Sequence, residues 1–259
     1  MEVFFRSYRS SSAGNCLAVW TPGTSLLIDF GVRTLCDCRE ILRVHRASHG
    51  PIDGVLVTHA HRDHLSPDAV RVLREEGIPV YAHRFVVPQL LARDGPRGAS
   101  AQEVRALPGE RFTFGDFEIT AIGLPHAPGF ATFGFAIEAG RGAGRRKLVV
   151  ATDFHEASTV RPHLDGADFV FVEANHDLAL LRQHPNPNSR YHLSNVKTAR
   201  LLFEAFGNGN GAPRMVVLGH LSEQRNRARL AVEEVERAFA AQGVPVPFAL
   251  DTAPRREAS

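Results

Sequence analysis

The segment VLVTHAHRDHLSP (residues 55–67) constrains this chain more than any other. Its apolar run, Val55, Leu56 and Val57, reads as a buried strand. Four potential metal ligands, His59, His61, Asp63 and His64, follow within six residues. A strand end is rigid, and a turn after it lets side chains converge. Alternate residues of extended chain point the same way, so His59 and His61 can share one ion. Asp63 and His64, past the bend, can face a second. Imidazole with carboxylate suits zinc, manganese or iron. A polar loop without a ligand seldom carries four such residues at this spacing.

Composition supports the same chemistry. Thirteen histidines in 259 residues, several clustered, point to metal or proton chemistry. The 44% apolar content is that of a globular chain long enough to bury a real core. A formal net charge of +2 gives no whole-protein argument for a polyanion partner, so any nucleic-acid contact must come from a local patch. Cys16, Cys36 and Cys38 are odd in number and lack CxxC spacing, which fits a reduced, cytoplasmic protein. No apolar stretch approaches the roughly 20 residues of a membrane helix, so no membrane partner is expected.

Short apolar runs recur along the chain. VFFRSY, CLAVW, SLLIDFG, IPVYA, ATFGFAIEAG, KLVVATDF, ADFVFVEAN and APRMVVLGH read as strands, and ERFTFGDFEITAIGL as a hairpin turning at Gly115 and Asp116. Helices are expected at residues 34–46, at SPDAVRVLREEG with Ser66 as N-cap, at SNVKTARLLFEAFG capped by Ser194, and over residues 222–242. Within the first of these, Cys36 and Cys38 would point to different faces. Residues 93–100 read as a loop. The expectation is one layered α/β domain spanning residues 1–259, with two sheets and outer helices.

The motif His59-x-His61-x-Asp63-His64 resembles the HxHxDH signature of the metallo-β-lactamase superfamily. The likeness continues in order through LLIDFG with Asp29, LPHAP with His126, VVATDF with Asp153 and VVLGHLS with His220. The resemblance implies a four-layer αββα sandwich with the site at one edge. It implies that Asp29 orients the metal loop, that His59, His61 and His126 hold one divalent ion, that Asp63, His64 and His220 hold another, and that Asp153 bridges them. Two ions about 3.5–4 Å apart can share a water and lower its pKa toward about 7, providing a hydroxide nucleophile. Asp153, where common class B β-lactamases carry a cysteine, favours a phosphodiesterase or ester hydrolase over a lactamase.

Further motifs resemble the YycJ/WalJ-type exonuclease branch of that superfamily: SYRSSSAGNC, VEANHD, YHLSN and GHLSEQRN. Only 66 residues separate Asp153 from His220, which leaves no room for a β-CASP insertion. The implied activity is 5′→3′ hydrolysis of phosphodiester bonds in nucleic acid, with DNA favoured over RNA. Ser10, Ser11, Ser12, Gly14 and Asn15 read as a flexible loop of donors suited to phosphate oxygens. Glu173 and His176 form a carboxylate–imidazole pair that could shuttle a proton, although Glu173 could equally brace a ligand.

The tripeptide His-Leu-Ser occurs at His64, His192 and His220. The first and last copies end strand-derived loops, and their serines are expected to cap the next helix. His192 follows no apolar strand. It reads as a substrate-side group beside a helix N-terminus at Ser194 and Asn195 that offers free N–H groups to phosphate. Arg182, Arg190, Lys197, Arg225, Arg227 and Arg229 could track a backbone, or form a solvated helix face. His45, His49, His83, His155, His163 and His184 lack motif support and are expected mostly at the surface. Two other readings use the same metal core: an ester, thioester or lactone hydrolase, and a non-catalytic metal-binding regulatory protein.

Overall fold

The computed structural model describes residues 1–95 and 98–255, so Pro96 and Arg97 of the expected loop lie outside the described residues. A first sheet has six strands in chain order: β1 (Phe4–Ser11), β2 (Gly14–Trp20), β3 (Ser25–Ile28), β4 (Gly54–Val57), β5 (Val80–Ala82) and β6 (Val104–Ala106). A second sheet has seven, in the spatial order β13 (Ala249–Thr252), β12 (Met215–Gly219), β11 (Phe169–Glu173), β10 (Arg146–Ala151), β9 (Thr132–Ala139), β8 (Phe117–Leu124) and β7 (Arg111–Phe114). Parallel pairing joins β3 through β6, and β10 through β13; the remaining neighbours are antiparallel.

Side-chain alternation explains the layering. In β10, Leu148 and Val150 join the core shared with the first sheet, whereas Val149 and Ala151 join a second core. The same period of two separates Phe171 from Val170 and Val172, and Val217 from Val216 and Leu218. That second core is closed by α5 (Asn195–Phe206) and α6 (Ala228–Ala240), through Leu201, Leu202, Val235 and Phe239. Strands β3 and β4 are buried along their whole length, because α1 (Leu35–His49) and α2 (Pro67–Glu76) cover the other face of the first sheet. The result is the expected αββα sandwich. Two short helices, α3 (Val87–Ala92) and α4 (Leu178–Gln183), were not marked by any periodicity.

Helix signals operate locally as the sequence indicates. Ser66 caps α2 with Pro67 in the first turn, and Gly77 ends α2 at φ 67°; Thr34, expected as the first residue of α1, instead caps it by accepting from the Asp37 N–H. Cys36 is exposed and Cys38 buried. The last helix begins at Ala228, not residue 222. There, Asn226 is fully buried and spends its side chain on the Ala174 carbonyl and on Asn195, which holds residues 222–227 as turns. Two of the unassigned histidines are also inside. His45 bonds the Tyr8 hydroxyl and Ser25 Oγ, and burial pushes its pKa down to about 4. His83 stacks on Phe133 at 3.8 Å and bonds Glu110. Among the described residues, no helix is long and apolar enough to cross a membrane.

Phe135 is fully buried between the sheets. Phe135→Ala is expected to lower stability by about 3–5 kcal/mol. Urea unfolding followed by circular dichroism checks this; a loss below about 1 kcal/mol would contradict a tightly packed inter-sheet core.

Candidate metal centre

The ligand-type residues leave the two sheets at one common edge. Asp29 follows β3, His59 follows β4, His126 follows β8, Asp153 follows β10, Glu173 ends β11 and His220 follows β12. Three of these exits turn through left-handed backbone, with φ 60° at Asp29, 60° at Asp153 and 51° at His220. Non-glycine residues held there cost about 1–3 kcal/mol each and persist only where neighbours over-determine them. The neighbours are present. The Asp29 N–H donates to the Leu56 carbonyl at 2.8 Å, and the His220 N–H donates to Ser10 Oγ at 2.7 Å.

Asp29 organises the loop after β4. Its Oδ1 accepts from the Thr58 N–H at 2.8 Å, and its Oδ2 accepts from His64 Nδ1 at 2.7 Å. Thr58 Oγ1 also donates to this carboxylate and lies 3.0 Å from His59 Nδ1. Close packing adds to this. A Cβ on Gly31 would sit 1.7 Å from the Asp63 carbonyl oxygen, so only glycine lets the end of β3 approach the loop. Asn15 bonds Asp63 twice, through its backbone N–H at 2.8 Å and its side-chain amide at 3.1 Å.

The donor atoms converge. Four overlapping groups could each hold a metal ion, their donor atoms lying within 4.8 Å of one another: His59, His61 and His126; His59, His64 and Asp153; Asp63, His64 and His220; and Asp153, Glu173, His192 and His220. Asp153 lies among them, with Oδ2 3.0 Å from His64 Nε2 and 3.6 Å from His220 Nε2, and Oδ1 3.8 Å from His126 Nε2. Hydrogen bonds at the opposite ring nitrogens aim the Nε2 atoms. His64 Nδ1 is held by Asp29, His126 Nδ1 by the Tyr191 carbonyl and His220 Nδ1 by Glu173. Asp153 Oδ2 and His220 Nε2 are buried without a hydrogen-bond partner. Polar atoms left without a hydrogen bond at a cluster of imidazoles and carboxylates match a divalent-metal site.

Electrostatics sharpen the site. Burial opposes charge on His220, but Asp153, Asp63 and Glu173 overcome it and lift the imidazole to about 10. His64 is raised well above the ordinary range against the same burial, chiefly by Asp29 and Asp153. Burial dominates at His61, which falls to about 4, and at His59, which falls well below its usual range. Glu173, despite full burial, is held down at about 2 by His192 and His220.

The other expected residues are placed as follows. Glu173 bonds His192 Nδ1 at 2.6 Å and the Phe154 N–H at 3.1 Å, and so pairs with His192 where the sequence pointed to His176. His192 lies 5.0 Å from His126 and 5.4 Å from His220, ring to ring. It lines a cavity of about 330 Å³ with His176, Ser194, Arg190 and Lys197. The expected phosphate-binding loop is the end of a hairpin. Ser10, Ser11, Gly14 and Asn15 are buried and engaged internally, and only Ser12 of the five faces solvent. The N-terminus of α5 is also more occupied than expected, since the Asn195 N–H donates to the His176 carbonyl and the Lys197 N–H to Ser194 Oγ. Ser222 accepts from the Arg225 N–H and closes a turn, not a helix.

Several supporting residues escaped the sequence reading. Arg93 donates to the Ala60 carbonyl at 2.5 Å and to the Leu65 carbonyl, clamping both ends of the metal loop while pairing with buried Asp94. Asn175 donates to the His220 carbonyl at 3.1 Å. Neither has a local signal, because each acts on a partner far away in the chain.

Known proteins share this arrangement of strands. The family described as "Beta-lactamase superfamily domain" matches residues 25–220. The chain is 28% identical over 262 residues to the exodeoxyribonuclease WalJ of Streptococcus pneumoniae, covering 95% of this chain and 92% of the relative. It is 26% identical over 260 residues to the exodeoxyribonuclease YycJ of Bacillus anthracis, covering 97% and 94%. The metallo-β-lactamase fold protein YhfI of Bacillus subtilis superposes with a TM-score of 0.71 at 18% identity, over 97% of this chain and 95% of that one, a likeness of fold.

Two outcomes are expected. Gly31→Ala pushes the loop away from β3 and weakens metal affinity by about 10–100-fold, read by competition with a chromophoric chelator. Metal uptake near pH 7.5 releases protons, because ligating imidazoles must be neutral and His64 and His220 are raised. The same raised pKa values stabilise the metal-free fold below about pH 6.5, the unfolded value. That stability is lost as pH rises through about 10 at His220, while metal affinity climbs. Calorimetry in buffers of different ionisation enthalpy measures the protons; zero release would contradict the charge state.

Proposed function

The chain belongs to the β-lactamase superfamily, and from that premise we propose that it is a single-domain, metal-dependent hydrolase of phosphodiester bonds, a 5′→3′ exonuclease acting on DNA. The observation that carries this reading is the juxtaposition of the donor cluster with a cavity lined by cations and imidazoles. Arg190, Lys197, His176 and His192 border the cavity, and His192 also touches His126 and His220 of the cluster. Such a wall suits an anionic backbone better than a neutral lactone or thioester. The relatives bear on it too, since both are named exodeoxyribonucleases and are matched over almost their whole length.

In this reading His59, His61 and His126 hold one divalent ion, Asp63, His64 and His220 hold a second, and Asp153 lies between them. Bound there, the ions supply Lewis acidity and lower the pKa of water toward about 7. The protein groups do the rest. Asp29 fixes the loop and, through His64, the direction of its free nitrogen. Glu173 fixes the tautomer of His220 and His192 by occupying both Nδ1 atoms. His192 then has only Nε2 to present to a substrate. It binds the scissile phosphate or gives a proton to the leaving oxygen. Arg190 is spread over the Tyr191 ring at 4.7 Å, and Lys197 reaches the His155 carbonyl at 3.4 Å, so both are held at the cavity rim.

The test uses metal-loaded protein and DNA labelled at either end. Mononucleotides are expected to appear progressively from the 5′ end, and Asp63→Ala is expected to abolish their release. His192→Ala should keep its full metal content and lose about 10²–10⁴-fold in turnover. Protein inert on DNA but active on thioesters or lactones would overturn the reading. Loss of a metal ion from His192→Ala would move that residue into the ligand set.

A further inference from the structure

The mouth of the metal centre carries an aromatic side chain that no core absorbs. Phe130 is 39% exposed, and it belongs to neither hydrophobic core. Its ring lies 4.2 Å from the ring of His61, tilted by 60°. His61 in turn lies 5.3 Å from His126, and His126 lies 5.0 Å from His192. Phe130 therefore meets the donor cluster at His61, whereas the cation-lined cavity meets it through His192, which lies beside His126.

The loop that presents Phe130 is built, not slack. It connects β8 to β9 directly after His126. The Phe130 N–H donates back to the Ala127 carbonyl at 3.2 Å, closing a turn. Gly129 sits at φ 83°, a left-handed conformation that favours glycine, and its carbonyl accepts from Gln89 of α3 at 3.1 Å. Pro128 stiffens the turn further. Two elements thus fix an apolar ring in water beside the chemistry. About two-fifths of Phe130 stays in water, apolar surface from which folding gains no burial.

We infer that Phe130 is a stacking platform for a nucleobase flanking the scissile phosphate. The inference rests on the nucleic-acid reading above and deepens it. Every base has a π-face, so an aromatic ring can stack on it without sequence preference. With cations at the His192 cavity to hold backbone and a ring beside His61 to hold a base, a nucleotide chain has two separate holds next to the bond to be cut. Phe130 is a positioning residue in this scheme. It acts on the substrate's base and takes no part in proton transfer.

The experiment reads binding apart from turnover. Single-stranded oligodeoxynucleotides with phosphorothioate linkages carry 2-aminopurine at the first or second position from the 5′ end, and are titrated with metal-loaded protein. Stacking is expected to quench the fluorescence at one of these positions. Phe130→Ala should remove the quench and weaken binding about tenfold, within the range of a single stacking contact. Phe130→Trp should restore both, whereas Phe130→Leu, apolar but without a π-face, should not. Metal content and circular dichroism of all variants should match the unsubstituted protein. Equal quenching by Phe130→Ala, or full rescue by Phe130→Leu, would overturn the inference while leaving the nuclease reading intact. Failure of the unsubstituted protein to bind either oligonucleotide would instead strike the nucleic-acid reading, and this inference with it.

Discussion

One buried carboxylate holds the site together. Asp29 leaves β3 in a left-handed turn and spends both oxygens on the next strand's loop, one on the Thr58 amide and one on His64. Without it, the loop after β4 would have to satisfy a buried amide and a buried imidazole elsewhere. An unpaired buried polar group costs about 1–3 kcal/mol, and a charged one more. Asp29 also sets which nitrogen of His64 points inward, since its Oδ2 can only accept. Gly31, two residues on, completes the arrangement by letting main chain meet main chain. Position and chemistry of the loop are thus fixed by the same short stretch.

The sandwich explains why so many ligands can meet. Parallel strands β3 and β4 in one sheet, and β10, β11 and β12 in the other, all release their chains toward one edge. Each exit can contribute a side chain to a common point, and the packed sheets hold the exits at fixed separation. The charges gathered there are costly to bury singly, so they appear as partners. Glu173 answers His192 and His220, while Asp153 lies within 3.6 Å of His64 Nε2, His220 Nε2 and His192 Nδ1. A cluster that balanced itself fully would have no orphaned atoms. Asp153 Oδ2 and His220 Nε2 lie near charged neighbours yet make no hydrogen bond, which matches a centre built to take a divalent ion.

Much of this was legible in the sequence because its signals are local. A run such as Val55 to Val57 followed by His59 and His61 encodes both the strand and the direction of the side chains after it. Caps at Ser66 and Ser194 are equally local. What was not legible depends on contacts between distant segments. Ser10 and Asn15 have the composition of an open turn. They are buried because Ser10 meets His220, 210 residues away, and Asn15 meets the metal loop. Residues 222–227 have helical character, yet Asn226 is drawn inside by Ala174 and Asn195, and the helix waits until Ala228. Arg93 looked like a loop residue because its function lies in two carbonyls about thirty residues earlier.

The three His-Leu-Ser copies show why a tripeptide alone does not assign a role. His64 and His220 leave strand ends, are fully buried and have their Nδ1 atoms held by Asp29 and Glu173. His192 leaves a 3-10 turn, Pro187–Tyr191, and borders the open cavity. Yet it shares one carboxylate oxygen of Glu173 with His220. That shared oxygen couples the two imidazoles: a proton held on His192 Nδ1 and one on His220 Nδ1 both lean on the same acceptor. A change in what His220 Nε2 binds therefore alters the pull of Glu173 on His192. The cavity-side histidine is in this way tied to the state of the donor cluster without needing to join it.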